Sequence, residues 1–133
     1  MTDTQFEISQ LIQTVEAALE DIKAKELETI DLKGASNFAD AMMVVSGTSS
    51  RHVAAIARSV QLAVKTKHHI KPIGVEGEEV SDWILVDYGD LILHIMLPAT
   101  RSFYELEKLW RARPQDQLGQ HTNQANPANP ATD

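Results

Sequence analysis

The chain predicts an α/β fold, a mixed sheet of about five strands with helices packed on it. Three observations lead there. Two segments, 8–22 and the stretch that begins at Val53, space their apolar residues three and four apart, as one face of a helix requires. Several short apolar runs bounded by Gly, Pro or Asp alternate with them, as strands do. Finally, 133 residues suit one domain with a short appendage.

The elements follow in order. Ile8, Leu11, Ile12, Val15, Leu19 and Ile22 form the stripe of a first helix. Thr4 and Glu7 have the spacing of a capping box ahead of it. Lys23 and Lys25 lie near its end, where the helix dipole favours cations. TIDLK (29–33) alternates like a strand with one wet face, whereas ADAMMVVS (39–46) is nearly all apolar, like a strand covered on both faces. After GTSS, a second helical stripe runs through Val53, Ile56, Ala57, Val60 and Val64, with Ser49 as its cap. PIGVE (72–76) reads as a short strand, and strand-helix-strand order suggests that it pairs in parallel with 39–46. WILVD (83–87) and LILHIML (91–97) are joined by Tyr88-Gly89-Asp90 and read as an antiparallel hairpin. Pro98 suits the first turn of a last helix, which presents Phe103, Leu106 and Trp110 on one face with Leu109 beside it. The order is α-β-β-α-β-β-β-α, a single domain over 1–113. From Pro114 the chain turns to Gln, Asn, Ala, Pro and Thr, and 114–133 is expected to be a disordered tail.

Composition narrows the function classes. The absence of cysteine removes disulfides and thiolate metal sites. MTDTQFEISQ has no basic region followed by an apolar run, and no apolar stretch approaches the ~20 residues of a membrane span. A soluble cytoplasmic protein is expected. The net charge of -7 is unevenly spread. Residues 1–75 carry nine acids against eight bases, and 108–133 carry two acids against three bases. Residues 76–107 hold eight acids (Glu76, Glu78, Glu79, Asp82, Asp87, Asp90, Glu105 and Glu107) and one base, Arg101. Nucleic-acid binders need the opposite balance, because Lys and Arg neutralise phosphates. An acidic block fits a basic protein partner, or simply serves solubility.

Chemical motifs are few. VSGTSSRHV (45–53) places a glycine and hydroxyls before a helix, an arrangement that can bind an anion through free amides. It lacks the second glycine and the lysine of a P-loop, and a turn with a helix cap explains it as well. Asp87 and Asp90 flank the hairpin turn, three residues apart, which suits turn hydrogen bonds better than a shared face for paired metals. His52, His68, His69 and His94 show no metal-ligand spacing; His94 reads as a satisfied polar residue on the wetter side of its strand. If 83–87 alternates, Trp83, Leu85 and Asp87 share one face and Ile84 and Val86 the other. A carboxylate is costly to bury unpaired, so the Trp83 face is the one expected to be exposed. Trp83 and Tyr88 ringed by carboxylates have the composition of a protein-binding hot spot. The alternative is a core Trp83 with Tyr88 capping it.

Three blocks carry a family resemblance: ADAMMVVSGTSSRHVAAIA (39–57), GVEGEEVSDWILVDYGDLILHIM (74–96) and RSFYELEKLW (101–110). In order and spacing they resemble the ribosomal silencing factor family, also called the Iojap family, over roughly residues 8–111. The 114–133 tail lies outside that resemblance. It implies a compact α/β fold related to nucleotidyltransferases without their catalytic acids, hence no enzyme and no cofactor. It also implies binding to protein fourteen of the large ribosomal subunit on the intersubunit face. The bound protein would block subunit joining and repress translation when nutrients are scarce. The same resemblance implies homodimers in isolation and, among organellar relatives, a role in large-subunit assembly.

On this reading Glu76, Asp82, Asp87 and Asp90 steer and orient, and Trp83 and Tyr88 supply aromatic area. Met96 adapts to an irregular surface. Arg101 and Tyr104 either border the patch or brace the last helix. No sequence-specific nucleic-acid contact and no membrane contact is implied. The rival readings are a nucleotidyltransferase-type enzyme using GTSS with Asp87 or Asp90, and an assembly module active as a dimer.

Overall fold

A computed structural model of the chain describes residues 7–34, 37, 39–106 and 108. Its elements come in the expected order: α1 (Ile8–Asp21), β1 (Lys25–Asp31), β2 (Ala41–Ser46), α2 (Ser50–His68), β3 (Gly74–Glu76), β4 (Trp83–Asp87), β5 (Leu91–Met96) and α3 (Pro98–Tyr104). The five strands form one sheet in the order β1-β2-β5-β4-β3.

Strand order departs from the sequence expectation at one place. β2 pairs in parallel with β5, not with β3, and β3 pairs antiparallel with β4 at the far edge. Two antiparallel steps, β5 to β4 and β4 to β3, leave β2 and β3 pointing the same way but with two strands between them. The reason is burial. β2 is buried at all six positions and β5 at five of its six. Such strands belong side by side at the sheet centre. β3 has three residues, none of them buried, and suits an edge.

The two sheet faces are covered differently. On one side α1 and α2 pack over Met43, Val45, Ile84, Val86, Leu91, Leu93 and Ile95, with Leu11, Val15, Leu19, Val53, Ile56, Val60 and Val64 from the helices. On the other side a smaller cluster joins Ile30, Leu32, Ala39, Met42, Val44 and Met96, with Trp83, Ile92 and Leu106 against it. Alternation along β4 sorts the two: Ile84 and Val86 are buried under the helices, while Trp83, Leu85 and Asp87 are half-buried on the second side.

Helix ends follow local chemistry. The N-cap of α1 is Glu7, without a side-chain bond, and the proposed cap Thr4 lies outside the described residues. Lys23 turns α1 off in the left-handed region. Ser49 caps α2 as expected, its hydroxyl accepting the His52 N–H at 3.1 Å. The His52 ring then fastens α2 to α1. Its Nδ1 accepts the Thr48 N–H at 2.9 Å, so the proton lies on Nε2, which donates to the Ile22 carbonyl at 2.8 Å. TSSRH therefore works as a cap and a latch, and two amides of the imagined anion site are already in use.

The last helical run is broken at Glu105, and helical geometry returns at Leu106. Pro98 opens it, and Glu105 closes it in the left-handed region. Phe103, expected on a packing face, is 79% exposed. Leu106 does pack on the second cluster. Leu109, Trp110 and the 114–133 tail lie outside the described residues.

Candidate partner-docking face

Register lays out the second sheet face as rows. The first row runs Ser46, Met96, Trp83 across β2, β5 and β4. The second runs Glu28, Val44, His94, Leu85, Glu76, and the third Ile30, Met42, Ile92, Asp87, Gly74. Towards β1 these positions are closed: Val44, Met42 and Ile30 are buried. Towards β4 and β3 the sheet is open: Trp83, Leu85, Asp87 and Ile92 are half-buried and Glu76 is exposed.

α3 lies against the first row. Arg101, itself buried, donates from Nη1 to the Ser46 hydroxyl at 3.0 Å. Tyr104, 50% exposed, lies on Trp83 with ring centroids 4.8 Å apart and planes at 49°. Phe103 meets Tyr104 edge-on at 4.9 Å. Three aromatic rings thus run from solvent to the sheet. At the inner end, Trp83 Nε1 donates to His94 Nδ1 at 3.0 Å. His94 is buried, and that burial holds its imidazole down at about 4, so the ring is neutral at pH 7.

Carboxylates rim this face. Asp82 precedes Trp83 and is exposed, as are Glu76 and Asp90. Asp87 accepts the Gly89 N–H at 2.8 Å, the local turn bond expected of an acid at a hairpin. Gly89 has φ +88, a conformation that glycine adopts without penalty. Gly77, at φ +93, is required more strictly: a Cβ there would collide with the Trp83 carbonyl. The glycine of VEG therefore lets the 77–82 loop press against the start of β4, where Trp83 begins.

Of the nine residues singled out in the sequence, the structure gathers Glu76, Trp83, Asp87 and Tyr104 on the open face. Asp82 and Asp90 lie exposed at the two ends of β4. The structure moves Tyr88 and Met96 off this face and gives Arg101 the bracing role, one of the two expected for it. Tyr88 is buried on the opposite side, in the core under the helices. Strand alternation carried one residue past Asp87 puts its ring on that side, with Ile84 and Val86, and its backbone N–H bonds the Leu91 carbonyl. Its hydroxyl has no hydrogen-bond partner among the described residues, and burial pushes it up to about 12. Met96 is fully buried between Ser46 and Trp83 and lends no surface. Arg101 braces α3 against β2 and does not border the face as an exposed cation.

Sequence reasoning put Leu85 on this face without giving it a role, and missed Ile92 and Phe103. Alternation with Trp83 and Asp87 does place Leu85 on this face. Ile92 needed the hairpin register, which pairs it with Asp87. Phe103 was expected on the packing face, and its exposure carries no signal in the apolar spacing. Among the described residues no three His, Asp or Glu side chains converge into a metal-holding group, and no helix is long and apolar enough to cross a membrane.

Fold and face together define a small α/β protein that keeps part of one sheet side open beside an aromatic helix end. The chain belongs to the ribosomal silencing factor family: the family described as "Ribosomal silencing factor during starvation" matches residues 5–133. That match runs on through 114–133, beyond where the sequence resemblance was expected to stop. A ribosomal silencing factor of Chromobacterium violaceum is 40% identical over 105 residues, covering 79% of this chain and 85% of that one. The crystal structure of a protein from the same organism aligns with a TM-score of 0.76 at 39% identity, covering 81% of this chain and 89% of the other. A mouse protein named for mitochondrial assembly of the ribosomal large subunit is 36% identical, covering 87% of this chain and 50% of its own length.

Proposed function

We propose that this chain docks on the large ribosomal subunit through its open sheet face and, by its bulk, keeps the small subunit from joining, so repressing translation when nutrients are scarce. Family membership supports the ribosome as target. The observation that carries the docking face is Trp83, half-buried and backed by Tyr104, with Asp82, Asp87 and Glu76 around it. An aromatic anchor inside a polar rim is the composition of an interface hot spot. The carboxylates favour a basic protein over RNA, and the receptor we assign is protein fourteen on the intersubunit face. Free protein would form homodimers. No step makes or breaks a bond.

Sedimentation with isolated large subunits tests this reading. Trp83→Ala should fold and yet lose about thirtyfold or more in affinity, as truncating a hot spot does. Phe103→Ala should weaken binding by a smaller factor, since its ring is the outermost of the three. Wild-type protein should also lower the yield of joined particles when both subunits are mixed. A folded Trp83→Ala that co-sediments like wild type would remove this anchor.

The mouse relative's name favours a second reading, a factor that acts while the large subunit is being assembled. It uses the same face and predicts enrichment on immature large subunits over mature ones.

A further inference from the structure

We infer that His94 is a positioning residue for the docking face, setting the orientation of the Trp83 indole through the Trp83 Nε1–H to His94 Nδ1 bond. This rests on the docking reading above.

The geometry makes the pair specific. Trp83 stands opposite Met96 and His94 opposite Leu85, so Trp83 and His94 are diagonal neighbours on one face of the β4–β5 ladder. Diagonal positions lie too far apart for small side chains but within reach of aromatic ones. The indole can meet the imidazole only by lying across the ladder, with ring centroids 5.9 Å apart and planes at 50°. In that pose the indole also meets Tyr104, at 4.8 Å. A half-buried Trp has more than one rotamer open to it at a sheet surface. The bond to His94 selects one of them, and binding need not then order the ring.

The chemistry fits a fixed acceptor. An indole N–H only donates, and the neutral imidazole offers one acceptor nitrogen. With Nδ1 taken by the indole, the ring proton is on Nε2. His94 is 7% exposed, so a partner reaches it poorly. Its effect on docking therefore passes through Trp83. Asn presents its amide oxygen near the place of Nδ1 and can replace it as acceptor; Leu cannot.

A double-mutant cycle on the full chain tests this, read as affinity for isolated large subunits. His94→Leu should weaken binding about tenfold when Trp83 is present, the worth of one lost hydrogen bond. It should change binding less than about twofold on a Trp83→Phe background, where no N–H remains to be held. His94→Asn should keep near wild-type affinity. In proton NMR the chain has two indole N–H signals, from Trp83 and Trp110. One should shift in His94→Leu and stay in His94→Asn. Equal losses on the Trp83 and Trp83→Phe backgrounds would mean that His94 merely supports the fold, and would overturn the inference. Should His94→Leu fail to fold, Trp83→Phe alone decides: about a tenfold loss supports the pair, and wild-type binding refutes it. If Trp83→Ala loses binding while a folded His94→Leu does not, docking stands and this role falls. If Trp83→Ala binds like wild type, the docking reading itself has failed.

Discussion

His94 shows how one side chain couples the sheet to solution conditions. Its imidazole titrates near 6.5 when the chain is unfolded and is held down at about 4 by burial in the fold. Between those values the unfolded chain takes up a proton that the native state refuses. Stability is therefore fully present above about pH 6.5 and falls as pH drops towards 4, by a total on the order of 3 kcal/mol. His68 is also lowered, by burial and by neighbouring Lys67 and His69, and acts in the same direction. Urea unfolding at pH 7.5 and pH 5 should show the loss, and His94→Asn should reduce the difference without abolishing it. At this scale the sequence was readable where period decides: alternation put Trp83, Leu85 and Asp87 on one face. The same alternation, carried one residue further, puts Tyr88 with Ile84 and Val86 on the core side; the docking role assigned to it stopped the period at the strand's end. Met96 shared its fate for another reason. Its place in the row between Ser46 and Trp83 depends on a parallel pairing that no local pattern announces.

Among the elements, α3 is the one that leans most on its neighbours. It is seven residues long, too short to persist by its own hydrogen bonds. Arg101, its one buried residue, reaches across to Ser46 at the end of β2. A buried hydrogen bond to a charged group contributes about 1.5–3 kcal/mol. Arg101→Ala should lower stability by about that amount and speed amide exchange in α3 while leaving α1 and α2 protected. Because α3 carries Tyr104 and Phe103, the same variant should weaken large-subunit binding without touching the partner. Element existence was legible almost throughout, since each helix stripe and strand run is local. Strand order was not. The parallel expectation for 39–46 and 72–76 followed the crossover rule, which gives direction correctly but cannot say that the more apolar β5 takes the central place.

At the scale of the molecule, charge is divided across the sheet. The carboxylates of 76–90 rim the open face, whereas α2, on the far side, has Arg51, Arg58 and Lys65 exposed along one stripe and no acid in its sequence. Rim charges act mostly on encounter, and salt screens them. Association with large subunits should slow as salt rises while dissociation changes little. Asp82→Asn should slow association at low salt, and Arg58→Gln should not. Slowing by both variants alike would point to net charge in place of this face.

The parallel pairing of β2 with β5 bears on how the chain is made. Residues 41–46 find their second neighbour at 91–96, fifty positions later. An emerging polypeptide can form α1, the β1–β2 hairpin and α2, yet one edge of its most greasy strand stays unmatched until the last third has been synthesised. Distant pairings of this kind slow folding and leave apolar edges open to other chains meanwhile. A nascent copy truncated before residue 91 should accordingly aggregate or recruit a chaperone, whereas one that extends past 97 closes its own sheet.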